Sequence, residues 1–562
     1  MTVKLERIWF YAGLTSLLSV IGILIVFSDR GFDFSDEGLY ALLSNPNQEN
    51  RSSIINYDII FKYLYQYFGI TLNLIELRLL RLILVLLGSF YLIIPVYLIN
   101  KESINKIISP RLFFIIGLLL GFWSYAPWFI QTPNYNSFHF FGIQLFLGSL
   151  LFLQTTYISN LNIRTLIFST TFLIGFIICS LSKISAIPVL VFILIINLFL
   201  LPRKLIFSYL SFLILFIIGF ITFISFNNHF YTSLIHNVVE VLNQKSTSHS
   251  MTSQLKNLII NFILFILSLS FGYSLSRILF PFKIRFLIIF LFFICIILIF
   301  WDFERSKENN LYVPEFGLRY FVHRISIAIA LILSFFTGLL INNNKYKNHL
   351  LQLFIFLLSV LSYVIGTNNN LLYQSVGSIQ FLLIGWLFLN IREFHKKILL
   401  SIIPITFLFF LSSIFSGLPK GQGKWINADQ KYYYGEKKYD YIYLNQEYFS
   451  IQLKIKKILE KDSMEKIIAY PHFLGFVYLS GYSYTFPGSY LFGEEDLDSY
   501  FRKRFTNPKS FQLVLKGTES KKIMFPYLKN YNLILKDTIN VNLPNIYKGS
   551  TQYYIYKCVK NN

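Results

Sequence analysis

Apolar residues recur along this chain in blocks of about bilayer length, separated by short polar segments, up to roughly position 415. About 20 consecutive apolar residues let a helix cross a hydrocarbon core of about 30 Å. About thirteen blocks meet that pattern, near residues 8–27, 77–99, 112–130, 138–157, 165–182, 186–201, 205–226, 257–276, 286–301, 320–341, 350–366, 376–391 and 398–415. The polar segments between them alternate in character. One set is short and basic: Lys101, Lys106 and Arg111; Arg164; Arg203 and Lys204; Arg277, Lys283 and Arg285; Lys345 and Lys347; Arg392, Lys396 and Lys397. The other set is mostly longer and mixed. The excess of Lys and Arg on one side assigns the basic set, with Lys4 and Arg7, to the cytoplasm. The mixed set then faces outward, and an odd number of spans puts the tail from about Gly417 outside too. The first block lacks a small-residue cleavage site and is expected to be a retained helix.

Two segments break the pattern. In the first outer loop, residues 28–76, the stretch from Ile54 to Phe68 interleaves Tyr57, Tyr63, Tyr65 and Tyr67 with aliphatic residues, as a helix lying in the membrane interface does. In the tail, residues 417–435 are rich in Gly, Lys and Tyr and read as a linker. A charged helix follows near 439–461, with β-rich runs at 466–470, 529–535 and 552–559. The expected fold is an α-helical polytopic membrane domain over residues 1–416 and a small extracytoplasmic α/β domain over residues 417–562.

Composition supports the class. Of the 562 residues, 55% are hydrophobic and only 14% charged, with a mean hydropathy of +0.55; a soluble protein carries nearly twice that charged fraction. The net charge of +22 is read as topology signal and lipid-facing charge, not as a nucleic-acid surface. The three cysteines, Cys179, Cys295 and Cys558, give neither a disulfide framework nor a zinc spacing. No Gly-rich nucleotide loop stands out.

The chemistry concentrates just outside the first block, in Asp33-Phe34-Ser35-Asp36-Glu37-Gly38-Leu39-Tyr40. On one helical turn Asp33, Asp36 and Glu37 would share a face. A carboxylate pair at that place serves as a base with an orienting partner, or as hard oxygen ligands for Mg or Mn. The plainer alternative is a helix cap, with Ser35 or Asp36 at the N-cap. Cations and amides on other outer segments complete the candidate set. Lys183, Arg319, His323 and Arg324 are cations expected near the outer boundary, set against ordinary snorkelling. Asn134, Asn136, Asn369 and Gln374 are uncharged hydrogen-bonding groups on outer turns, set against turn formation. Asp302, Glu304 and Glu315 are alternative acids. The basic tail suits anionic lipid, an acidic glycan or solvent.

The stretch Asp36-Glu37-Gly38-Leu39-Tyr40-Ala41, in the first outer loop after one span, resembles the Asp-Glu-Gly-x-Tyr-Ala motif of GT-C glycosyltransferases. The pattern is nearest to the protein O-mannosyltransferase-like and lipid A aminoarabinose transferase-like groups. Glu76-Leu77-Arg78-Leu79-Leu80-Arg81 resembles the Arg-bearing segment that follows the loop in such proteins, and Thr132-Pro133-Asn134-Tyr135-Asn136 resembles a proline/asparagine turn. Ser182-Lys183-Ile184-Ser185-Ala186-Ile187-Pro188 resembles a Lys-Pro turn with its proline displaced. The resemblance covers about a third of the chain; only the acidic motif in its topological place is fairly specific.

It implies a GT-C-like fold and an enzyme that moves a sugar, with inversion, from a polyprenyl-phosphate carrier to a glycan, lipid or protein acceptor on the outer face of the cytoplasmic membrane. Asp36 would be the base and Glu37 the second acid, with Asp33 less defined. Arg78 would join Lys183, Arg319, His323 and Arg324 at the carrier phosphate, and Tyr40 and Tyr135 would join the amides around sugar and acceptor. A divalent ion on Asp33, Asp36 and Glu37 is left open. The chemistry agrees, since such a transfer needs a base for the acceptor hydroxyl and cations for the departing phosphate. The alternatives are a flippase of lipid-linked sugars and an outer-face polymerase or ligase that uses a diphosphate carrier.

Overall fold

The computed structural model describes residues 3–34, 36–48, 50, 56–125, 130–155, 163–200, 203–226, 259, 347–365, 376–387, 393–416, 425–435, 437–460, 466–470, 473–482, 509–517, 528–541 and 551–561. Ten of the apolar blocks lie on helices: α1 (Val3–Val26), α4 (Leu74–Ile107), α5 (Pro110–Gly121), α6 (Tyr135–Thr155), α7 (Ile163–Ser182), α8 (Ile187–Leu200), α9 (Arg203–Phe226), α10 (Lys347–Val364), α11 (Ile379–Leu387) and α12 (Glu393–Ser416). The blocks at 257–276, 286–301 and 320–341 lie outside the described residues. Between α1 and α4 come α2 (Asp36–Leu43) and α3 (Asp58–Phe68).

Thirteen spans were expected, but among the described residues three helices are long and apolar enough to cross a membrane: Lys4–Val26, Leu74–Ile107 and Tyr135–Thr155. Within and between the apolar blocks the helices give way in places to short 3-10 turns. The block at 112–130 stops at Gly121 and passes into a 3-10 turn, Phe122–Tyr125; the hinge after Lys183 is another, Ile184–Ala186; and Val376–Ser378 opens α11 the same way. Conversely, α4 runs on through the basic segment at Lys101 and Lys106, with a non-helical kink at Asn100. A capping box starts it: the Asn73 side chain accepts from the Glu76 N–H, and the Glu76 carboxylate accepts from the Asn73 N–H.

Small residues and amides set the packing of the bundle. A Cβ on Gly142 of α6 would stand 2.8 Å from the Gly175 carbonyl oxygen and 2.7 Å from Cys179 Sγ, so α6 and α7 touch backbone to backbone. At the centre, Gln144 Nε2 donates to Ser89 Oγ at 3.0 Å and to Gln380 Oε1 at 2.7 Å. Gln380 Nε2 donates to the Gly117 carbonyl at 3.0 Å, which links α4, α5, α6 and α11. In an apolar interior such amides need partners; their N–H groups find them here, while Gln144 Oε1 has none among the described residues.

The C-terminal part is α/β, as expected, with different boundaries. Residues 430–435, expected as linker, begin a hairpin: β1 (Gln430–Tyr433) pairs antiparallel with β2 (Tyr441–Leu444). The alternation Tyr441-Ile442-Tyr443-Leu444 buries every second residue and makes this a strand where a helix was expected. The helix α13 begins only at Gln446 and ends at Glu460; β3 (Lys466–Tyr470) and the short α14 (Leu474–Leu479) follow. With β4 (Ser510–Lys516), β5 (Tyr531–Val541) and β6 (Thr551–Lys560), β3 builds a sheet of order β3-β4-β6-β5, parallel at β3/β4 and antiparallel elsewhere.

This domain docks on the segment between α1 and α4. Tyr443 N–H donates to the Asp29 carbonyl at 2.7 Å and Gly31 N–H to the Tyr443 carbonyl at 3.0 Å, so the chain leaving α1 runs along β2. Phe32, Phe34, Leu39, Tyr57 and Phe61 of the loop share one hydrophobic core with Ile442, Leu474, Phe476, Leu513 and Ile555 of the domain. In α3, Asp58 and Phe61 are buried whereas Tyr65, Tyr67 and Phe68 are exposed.

The α6–α7 contact leaves no room for a side chain. Gly142→Val is expected to destabilise the folded chain by about 1–3 kcal/mol, the usual cost of overpacking. A lower melting temperature in detergent checks this; an unchanged one refutes the contact.

Candidate functional site

The acidic stretch is mounted by a single arginine. Glu37, in the first turn of α2, is 0% exposed, and Arg78, in the second turn of α4, is 3% exposed. Arg78 Nε donates to Glu37 Oε1 at 3.0 Å and Nη2 to Oε2 at 2.9 Å, the paired geometry of guanidinium and carboxylate. Its remaining N–H groups go to main-chain oxygens: Nη1 to Ser28 at 2.8 Å and Arg30 at 3.2 Å, Nη2 to Gly31 at 2.6 Å. All five donors are therefore used. The sequence places Arg78 at a carrier phosphate; the structure leaves it no donor for one.

Glu37 is equally committed. Besides Arg78, its Oε1 accepts from the Thr132 N–H at 3.3 Å and its Oε2 from the Asp33 N–H at 3.1 Å. Asp33 does not lie on the helix face with the other two acids. It precedes α2, and its Oδ1 accepts from the Asp36 N–H at 3.0 Å while its carbonyl accepts from Gly38 N–H at 3.0 Å. Asp33 is thus the cap of α2, where Ser35 or Asp36 was expected. Ser35 lies outside the described residues. As a set the three acids do not fit a divalent ion, because Glu37 has both oxygens engaged by N–H donors. Among the described residues no group of three or more His, Cys, Asp or Glu side chains gathers as metal ligands.

Asp36 opens α2 within the same buried turn and stands at the positive end of that helix. One turn further on, the Tyr40 ring meets the rings of Tyr57 (centroids 6.4 Å apart) and Tyr135 (6.0 Å). Tyr135 leads to Lys183, whose Nζ lies 5.3 Å from its ring centroid and 4.9 Å from that of Tyr363. Lys183 is 4% exposed, held at the break between α7 and α8, and its ammonium donates to the Tyr363 carbonyl oxygen. No described carboxylate lies within ion-pair distance of it. The resulting wall joins the start of α2, the start of α6, the α7–α8 break and the end of α10.

Asn134 is a cap: its Oδ1 accepts from the Ser137 N–H at 2.9 Å, and its own N–H donates to Ser137 Oγ at 2.7 Å. Asn136, on the next residue but one, is different. Its buried Oδ1 has no hydrogen-bond partner among the described residues, nor have the buried hydroxyls of Tyr57 and Thr132. Buried polar atoms without partners are uncommon and mark places where something else bonds. Burial, with the neighbouring Asp58 carboxylate and Tyr135, pushes the Tyr57 hydroxyl well above the usual tyrosine range, so it stays protonated at neutral pH.

Sequence reasoning missed Tyr57, Tyr363 and the working partner of Arg81. Arg81 donates to the carbonyls of Ile130, Thr132 (3.4 Å) and Ser124 (3.0 Å), and its guanidinium lies 4.1 Å from the Tyr125 ring centroid. It fixes the turn that delivers Thr132 to Glu37. Its spacing of three from Arg78, one helical turn, was the available signal. Arg319, His323, Arg324, Asn369 and Gln374 lie outside the described residues, as do Asp302, Glu304 and Glu315.

Comparison with protein-family models, with curated proteins and with solved structures gives no match.

Removing one member of a buried, fully bonded ion pair strands the other. Arg78→Met is expected to cost about 3–5 kcal/mol. Arg78→Lys should recover only part of that, since three donors on a point charge cannot serve five acceptors. Chemical denaturation in detergent measures both; wild-type stability in either variant would contradict the arrangement.

Proposed function

We propose that this chain is a GT-C-like membrane glycosyltransferase, acting on the outer face of the cytoplasmic membrane with a polyprenyl-phosphate sugar as donor and a glycan, lipid or protein hydroxyl as acceptor. The observation that carries the reading is the pairing, in one buried wall, of an acid on a fixed helix start with a lysine that has no carboxylate partner among the described residues. Glu37 and Arg78 neutralise and hold each other. This leaves the base to Asp36 and the phosphate to Lys183. The helix ends that hold these residues follow three of the polar segments assigned to the outside by charge alternation, which supports the outward placement.

In the proposed reaction the acceptor oxygen forms a bond to the anomeric carbon while the bond from that carbon to the carrier phosphate oxygen breaks. The hydroxyl proton passes to Asp36, and the leaving phosphate monoester stays on its lipid, its charge met by Lys183. Attack from the face opposite the phosphate inverts the anomeric centre. Tyr57, Thr132 and Asn136, whose buried side-chain oxygens have no hydrogen-bond partner among the described residues, are proposed to meet sugar or acceptor hydroxyls. Tyr40 and Tyr135 supply rings against which a pyranose can lie.

The test uses the full chain in lipid vesicles with a panel of labelled polyprenyl-phosphate hexoses and pentoses, reading released carrier. Asp36→Asn should fold as wild type and lose at least about 100-fold in rate. Turnover at the wild-type level by this variant would refute the assignment, and release of a diphosphate carrier would point to polymerase or ligase chemistry instead. In the same assay Lys183→Met should slow transfer by about 100-fold, the loss typical of removing one charge-stabilising donor. An unchanged rate would remove Lys183 from the phosphate site.

A further inference from the structure

The glycine of the acidic motif has a role that the proposed chemistry does not use. A Cβ on Gly38 would lie 2.3 Å from Gly475 N and 2.4 Å from Gly475 Cα. A Cβ on Gly475, in α14 of the C-terminal domain, would lie 2.5 Å from Phe34 Cα and 2.8 Å from the Phe34 carbonyl oxygen. Neither glycine has a positive φ; both are needed for close approach, not for conformation. The Gly475 N–H donates to the Phe34 carbonyl at 2.8 Å, so the two segments are bonded as well as touching. Around this contact Phe34 stacks on Phe476, with centroids 4.0 Å apart, and on Tyr448 at 5.1 Å; Phe32 stacks on Tyr478 at 6.0 Å. The contacts flank Asp36 two residues to each side.

We propose that the C-terminal domain is a working part of the site: through the Gly38–Gly475 contact it sets the position of Asp36, and Gly475 is a positioning residue. Arg78 fixes the loop from the membrane side, and α14 fixes it from above. A single methyl at Gly475 meets backbone atoms, which cannot swing away as a flexible side chain would. The loop has to move. A shift of about 1 Å in a catalytic group is enough to cost about 100-fold in rate. This inference rests on the glycosyltransferase reading for its effect on rate, but its structural half does not.

The test has two arms, both on the full chain. In the first, hydrogen exchange compares Gly475→Ala with wild type. Exchange in residues 36–43 should quicken at least tenfold, while β4 and β6 exchange as before. In the second, transfer by Gly475→Ala should fall tenfold to 100-fold and the acidic limb of its pH–rate profile should move, which a smaller folded fraction would not cause. Should Gly475→Ala fail to fold, Phe476→Leu takes its place; it removes the ring stacked on Phe34 without inserting an atom, and should change both readouts in the same direction. Wild-type exchange over 36–43 in whichever variant folds overturns the proposal, as does a wild-type pH profile. If no carrier supports transfer by the wild-type chain, the functional reading fails, and the exchange arm alone decides whether the domain holds the loop.

Discussion

The junction between the helical bundle and the C-terminal domain depends on the Arg78 guanidinium. Removing a carboxylate and a guanidinium from water is costly, and their attraction compensates only when every donor and lone pair finds a partner. Here that condition is met: five N–H groups reach the two oxygens of Glu37 and the carbonyls of Ser28, Arg30 and Gly31. The carboxylate also takes the main-chain N–H groups of Asp33 and Thr132. One pair thereby ties the exit of α1, the start of α2 and the turn before α6 to the second turn of α4. Replacing it by apolar groups would leave five main-chain groups to find other partners, so the pair is better described as a joint between segments than as a source of net stability.

The second constraint comes from the opposite side. The loop between α1 and α2 contributes Phe32 and Phe34 to the same core that contains the inner face of the C-terminal sheet. Aromatic stacking favours particular ring orientations, so the two parts are fixed in angle as well as in distance. The β-type pairing of residues 29–31 with Tyr443 adds main-chain bonds that leave little freedom to slide. Residues 29–38 therefore belong to neither part alone, and Asp36 lies where the restraints from both converge.

Periodicity and composition made the helical character, the mixed tail and the place of the acidic stretch legible. Ten apolar blocks fall on helices because long apolar runs in a polar-poor chain have few other ways to satisfy their backbone. What escaped was anything set by contacts distant in sequence. Nothing local marks Thr132 as a main-chain donor to Glu37, or Gly475 as the partner of Gly38 more than 400 residues earlier. The break at Phe122 escaped for a related reason: hydropathy averages over it, whereas the backbone responds to single side chains such as Arg81, which bonds the Ser124 carbonyl; the break at Lys183 was readable as the polar gap between two apolar blocks. Within the site, type and position of the acids were readable but their division of labour was not. Asp33 reads as an acid of the face and acts as a cap, and Arg78 reads as a phosphate ligand and has no donor to spare.

That division shows in how the charges are balanced. Glu37 and Arg78 cancel at close range, which removes them from the electrostatics felt a few ångströms away. Lys183 is buried to a similar degree, and among the described residues its ammonium meets a carbonyl and two ring faces but no carboxylate. Ring faces and a carbonyl dipole attract an ammonium, yet they compensate its lost hydration less than a carboxylate would. Among the described residues the charge of Lys183 is therefore less fully balanced than that of Arg78.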